Sequence, residues 1–585
     1  MISNHGLSTD DIDALAADAG SASAVQHLVR ANHSKHRTLL RAVLDHAEAV
    51  PGPLPPVGDA WELLAAAHRR NPDAVGRLLR YPSVGNWATS ALRRLRGAPS
   101  DGTPSWVVVG HLHQIAVAAA VLADHPFTLA VPSANGEVLL PTVGLVRIPG
   151  EPTGWHTATA TGDATGFSVV GASGAVRVDD RVVDGAGWSA VRRLRAGDLD
   201  VVLDDLYPFP GFGAALPPER LTGAEVARWR DALDDTWVLL EKHHGEVARA
   251  LALGVTALVP CPPVDRFRTY SGSADDAFGC VALSLPSDAA DFAATLVHEF
   301  QHSKLSTLLD LVELSRATEQ RFYAPWRDDP RPLPGLLHGL YSFVAVVDFW
   351  RVQREADDTP IAHFEFAHWR DQSLLVARAL RDDPHLTDLG RRFVSAQADR
   401  LEAWSTDPVP PDVLSAARDT AADHHATWRG RHLRPDPAHV VALADAWLSG
   451  GPRPDRPAPG STLSAGADEP TPRPVLARLR LADPAAFAAV VADPGTVPGA
   501  SGADLALVAG DTARALPGYL DLVRDDPTRT TAWTGLGAAL RTTPAGAAIL
   551  DRPDLVKAVY LAVVGRPGAV APDPVGLAEW IGAAP

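Results

Sequence analysis

Two imidazoles and a carboxylate within five residues carry the strongest chemical signal in the chain. His298-Glu299-Phe300-Gln301-His302 sets the histidines four apart, so on an α-helix both rings leave one face about one turn from each other. Imidazoles so placed can share one divalent cation. Glu299, roughly 100° further round the helix, can touch a water or an oxidant bound to that cation. A bare pentapeptide of this kind also occurs on ordinary exposed helices. Here Phe292, Leu296, Val297, Phe300, Leu305, Leu308 and Leu309 surround it, which predicts burial, and polar groups inside an apolar helix need partners.

Two imidazoles do not complete a catalytic site, so a third ligand is expected from elsewhere. The compact metalloprotease pattern would need Gly at 305 and His at 308, where this chain has Leu305 and Leu308. Asp310 follows His302 by about 12 Å of continuous helix, too far to share the ion. Glu319 could return after a turn. His338 is the better candidate, because it opens a second apolar stretch, Leu336 to Val344, and Gly339 beside it leaves room for a close neighbour. Between the two stretches runs a Pro-, aromatic- and Arg-rich segment, Arg321 to Pro332. It reads either as a rigid connector with solvated charges or as a clamp, in which Arg327 or Arg331 grips a carboxylate held near the metal.

The elements that must position these residues follow from periodicity and punctuation. Residues 1–100 read as helical, with the Pro-rich loop Pro51–Pro56 inside them. Residues 101–220 are strand-rich, with Val-rich runs such as Val138-Leu139-Leu140 and Val201-Val202-Leu203 and one helical exception from His111 to Ala123. Residues 221–449 form the metal-site region. They comprise a long helix at about 222–252, mixed structure to Leu285, the motif helix started by Ser287 or Asp288, and helices over about 333–448. A Pro/Gly-rich linker at 450–474 leads to an Ala-rich helical module at 475–585. The expected fold class is α+β, predominantly α-helical.

Bulk properties bound the function. With 585 residues and 46% hydrophobic content, the chain can build two or three globular cores. A net charge of -17 argues against general nucleic-acid binding, which needs a basic surface, and favours a cation or a basic peptide. Two cysteines, Cys261 and Cys280, cannot make a disulfide framework and read as a reduced pair. The N-terminus lacks a basic region followed by an apolar one. No run of about 18 uncharged apolar residues is read anywhere, so neither export nor a membrane span is expected and the location predicted is cytoplasmic.

Several longer stretches carry a resemblance. They are the run Thr295 to Leu305 with Leu308-Leu309-Asp310-Leu311, then Tyr323-Ala-Pro-Trp-Arg-Asp-Asp-Pro-Arg-Pro332, Leu337-His-Gly-Leu-Tyr341 and Ser271-Gly-Ser-Ala-Asp-Asp-Ala-Phe-Gly279. Asp204-Asp205-Leu206-Tyr207-Pro208 and Pro82-Ser83-Val84 with Trp87 extend it toward the N-terminus. Together, over roughly residues 60–450, the chain resembles the bacterial HExxH-motif peptide-modification proteins, which include iron(II)- and 2-oxoglutarate-dependent hydroxylases acting on β-carbons of ribosomally made precursor peptides. The resemblance implies that His298 and His302 are iron ligands; His338 is the third ligand read from the residues, with Glu319 or Glu299 as alternatives. For that reaction class, the clamp read above in Arg327 or Arg331 is inferred to bind the distal carboxylate of 2-oxoglutarate. The implied partner is a precursor peptide, and since this chain lacks the cysteine cluster for an iron–sulfur centre, it would act alone or with a separate radical maturase. Two other readings stay open. One is a zinc hydrolase with Glu299 as general base, and the other is a non-catalytic scaffold that docks precursor peptides around a structural metal.

Overall fold

The structure, a computed structural model, describes all residues except 1–5, 18–21, 100–101, 207–219, 264–268, 455–459, 465, 467–468, 470 and 584–585. Tyr207, Pro208 and part of the 450–474 stretch therefore lie outside the described residues. With 59% helix and 12% strand, and the strands concentrated in the middle of the sequence, the fold is α+β and predominantly α-helical. The chain divides into two compact units, Met1–Leu314 and Ser315–Pro585. The division falls just behind the motif helix, inside the stretch 221–449 read above as one region.

The first unit begins with helices from Thr9 to Leu95, followed by the helix Ser105–Leu122. That last helix contains no Asp, Glu, Lys or Arg over 18 residues and is apolar enough, by composition, to cross a bilayer. It corrects the expectation that no such run occurs. Its apolar length has another use, because 78% of the window is buried inside the protein. Leu112, Ile115, Ala116 and Ala119 share one core with Val138, Val146, Ala158 and Val169 of the adjoining sheet. That sheet is antiparallel and seven-stranded, and its members include Glu137–Leu140, which holds the run Val138-Leu139-Leu140, and Gly166–Val170. Alternating burial along Trp155–Asp163 and Ala175–Val178 is the pattern of strands with one face toward the core.

A five-stranded sheet delivers the chain to the motif. Its order is Ser271–Gly272, Cys280–Leu283, Ala257–Pro260, Leu199–Leu203, Arg192–Ala196. Ala257–Pro260 lies parallel to both neighbours. It and Cys280–Leu283 are buried at every residue, as befits parallel strands covered on both faces. The long helix expected over 222–252 is two helices, Gly223–His243 and Gly245–Gly254, because His244 adopts φ -134° and ψ 42° and ends the first. The first starts at a capping box between Thr222 and Glu225, and its Trp229 meets Phe292 of the motif helix edge to face at 6.0 Å.

In the second unit the Arg321–Pro332 segment is a β-hairpin, with Arg321 opposite Pro332 and Phe322 opposite Arg331. It runs directly into the helix Leu333–Asp357. Helices continue to Leu448 and again from Pro472 to Gly582. One buried cation joins these stretches. Arg473 donates to Asp423 at 2.6 Å and to Asp504 at 2.8 Å, and all three residues are buried. A buried guanidinium is tolerable only with such complete pairing.

Candidate metal site on the motif helix

The helix Ala289–Leu309 is started by Asp288, whose side chain accepts from the Asp291 amide at 2.8 Å. Of the apolar residues expected inside, Phe292, Leu296, Val297, Phe300, Leu305 and Leu308 are buried, while Leu309 at the helix end is only half-buried. Gly254 allows the close approach of Phe300, since a Cβ there would lie 2.1 Å from its ring.

On this apolar body His298 and His302 turn their rings toward each other. Their Nε2 atoms lie 3.1 Å apart, with ring centroids at 4.8 Å. Burial pushes the His298 imidazole down to about 4, so that ring is neutral at physiological pH, the form a metal ligand requires. Two nitrogens on one ion at about 2.0–2.1 Å each, in neighbouring coordination positions, stand about 3 Å from each other. The donor pair therefore fits a divalent ion. Among the described residues, no group of three or more His, Cys, Asp or Glu side chains is placed to hold a metal ion.

Glu299 is the next residue on the helix. It is 3% exposed. Ser271 Oγ donates to its Oε1 at 2.7 Å, while Oε2 is buried without a hydrogen-bond partner among the described residues. Ser271 opens the stretch Ser271–Gly279 singled out by resemblance, and the whole stretch is laid along this side of the helix. The Gly279 amide donates to Ser303 Oγ at 3.4 Å and Ser306 Oγ donates to Asp275 at 2.9 Å. Positions 299, 303 and 306 follow the i, i+4, i+7 spacing of one helical face. The strap is fastened at its outer side as well. Asp276 accepts from Lys35 and Arg93, both at 3.2 Å, and Lys35 also reaches Asp310 at 2.8 Å. Asp310, set aside as a ligand on distance, is thus an ion-pair partner at the helix end. Gly279 has φ +77°, and a Cβ there would meet the Gly254 carbonyl at 2.1 Å, so only glycine suits this corner.

The remaining predicted residues belong to the second unit. Arg327 donates to Asp329 at 3.1 Å and Arg331 donates to the other oxygen of the same carboxylate at 3.0 Å. Burial raises the Asp329 carboxyl, but Arg331 and Arg327 outweigh it and hold it below the usual carboxylate range. His338 lies half-buried in the second turn of its helix. The close neighbour of Gly339 is Trp326, whose ring atoms would be 2.1 Å from a Cβ at 339, and Trp326 stacks on Phe343 at 5.1 Å. Glu319 is exposed in the loop before the hairpin.

Sequence reading missed the partners of these groups. Ser271 carried no signal beyond its place in the resembling stretch. His424 carried only its position in a His-His pair, yet it shares a 2.8 Å hydrogen bond with the Tyr323 hydroxyl, while His432 Nε2 meets the Asp328 carbonyl at 2.6 Å. The second-unit hairpin is therefore held by the helix Pro411–His432. No protein-family model matches the chain, and no curated protein matches it.

Proposed function

We propose that this chain is an iron(II)- and 2-oxoglutarate-dependent hydroxylase of a β-carbon in a ribosomally made precursor peptide. The observation that carries the reading is the facing Nε2 pair of His298 and His302, 3.1 Å apart on a buried helix. A third protein ligand beside this pair would still leave positions for a chelating cosubstrate and for oxygen. Iron, when bound, supplies the redox chemistry that couples decarboxylation of 2-oxoglutarate by dioxygen to oxidation of a substrate C–H bond. The chain's own residues do the rest. Burial keeps His298 neutral, and Ser271 fixes the rotamer of Glu299. Arg327 and Arg331, already shared with Asp329, exchange that carboxylate for the distal one of the cosubstrate, so the guanidinium charge is balanced before and after binding. The free thiols Cys261 and Cys280 suit the cytoplasmic location of this reading.

One observation favours a second reading. Glu299 Oε2, which has no hydrogen-bond partner among the described residues, is the acceptor a zinc hydrolase would use to take a proton from bound water. Anaerobic loading with iron(II) and 2-oxoglutarate, followed by oxygen, separates the two. Succinate release with a gain of one oxygen atom on a candidate peptide supports the hydroxylase. Zinc-dependent cleavage without cosubstrate rejects it.

A further inference from the structure

We infer that Ser271 is a positioning residue that sets the catalytic geometry of Glu299, an inference that rests on the divalent-metal reading of the His298–His302 pair. A glutamate has three rotatable bonds and two equivalent oxygens, so a buried one is useful only if a single oxygen is held ready. The Ser271 hydroxyl takes Oε1 at 2.7 Å and leaves Oε2 as the one oxygen with no partner among the described residues, inside a site where Glu299 is 3% exposed. An unpaired buried carboxylate oxygen is costly, and its persistence is what a group awaiting a proton or a bound ligand looks like. Ser271 can do this because it is fixed from two sides. Its backbone pairs with Leu283 at the edge of the five-stranded sheet, and the strap behind it is fastened to Ser303, Ser306 and Lys35. The hydroxyl itself takes no part in the sheet pairing, so removing it alters the carboxylate and leaves the strand in place.

The test uses the full chain loaded with Co(II), whose visible bands report the ligand field and the hydrogen bonding of bound water. Ser271→Ala is expected to bind Co(II) as tightly as the parent while its bands move to those of Glu299→Gln, and Ser271→Thr, which keeps a hydroxyl, is expected to return them. A merely structural serine would shift the unfolding midpoint without that spectral match. Bands of Ser271→Ala that coincide with the parent while Glu299→Gln differs overturn the inference alone. A Glu299→Gln spectrum identical to the parent also overturns it, because nothing at the metal then depends on the carboxylate. A parent chain that retains no Co(II) overturns the metal reading on which it rests.

Discussion

His298 and His302 share a hydrogen bond, one Nε2–H donating to the other ring across 3.1 Å, which requires that the accepting ring be neutral. A metal would replace that proton. Replacing either histidine by alanine is therefore expected to abolish retention of iron(II) or Co(II) in equilibrium dialysis, with the far-ultraviolet dichroism unchanged because the helix is held by its leucines and phenylalanines. Undiminished metal binding in both variants contradicts the assignment. The arginine pair makes a separate prediction. Because Arg327 and Arg331 lie on one carboxylate, Arg331→Ala or Arg327→Ala should weaken 2-oxoglutarate binding without loss of metal. Each lost charge-assisted contact is worth about 1.5–3 kcal/mol, or roughly ten- to a hundredfold in affinity. Equal cosubstrate affinity in both variants places the clamp elsewhere.

At the scale of elements, the motif helix owes its place to a strand before it and a strap beside it. Cys280–Leu283, a fully buried strand parallel to Ala257–Pro260, feeds it, and Ser271–Gly279 runs along the 299–303–306 side. The corner between them is Gly279. Gly279→Ala combines a positive φ with a Cβ 2.1 Å from the Gly254 carbonyl, and strain of this kind costs about 1–3 kcal/mol. The expected result is a lower unfolding midpoint in urea, together with faster amide exchange over 271–279 than over the motif helix. An unchanged midpoint would show that the corner can rearrange freely. The hairpin of the second unit follows the same logic, since Gly339 is small so that Trp326 can lie on the helix bearing His338.

Across the whole molecule, histidines serve as core residues as well as candidate ligands. His111 is buried beside Trp87, with Gln114 at 2.6 Å, and burial pushes its imidazole down to about 4. The unfolded chain takes up that proton near pH 6.5 while the folded one refuses it. Stability is thus complete above pH 6.5 and falls as the pH drops toward 4, by about 1.4 kcal/mol per unit for one such group. His36 and His113 shift in the same direction, also through burial. Urea unfolding of the metal-free chain should show this acid-side loss, and His111→Gln should flatten it by roughly 3 kcal/mol at pH 4. Parallel curves for the two proteins would assign the loss to other groups.

Sequence alone determined what periodicity and residue type encode locally. The helical beginning, the strand-rich middle and the apolar motif helix, whose Asp288 start was one of two residues marked, all follow from spacing, as does the convergence of two imidazoles four residues apart. Only the tertiary structure decided the partners. A serine 28 residues before Glu299 becomes its hydrogen-bond donor, and Lys35 meets Asp276 and Asp310 across more than 240 residues. The broken 222–252 helix and the burial of the uncharged Ser105–Leu122 helix belong to the same class. Hydrogen bonding and burial between distant segments depend on which chain surfaces meet, and no local pattern of one sequence records that.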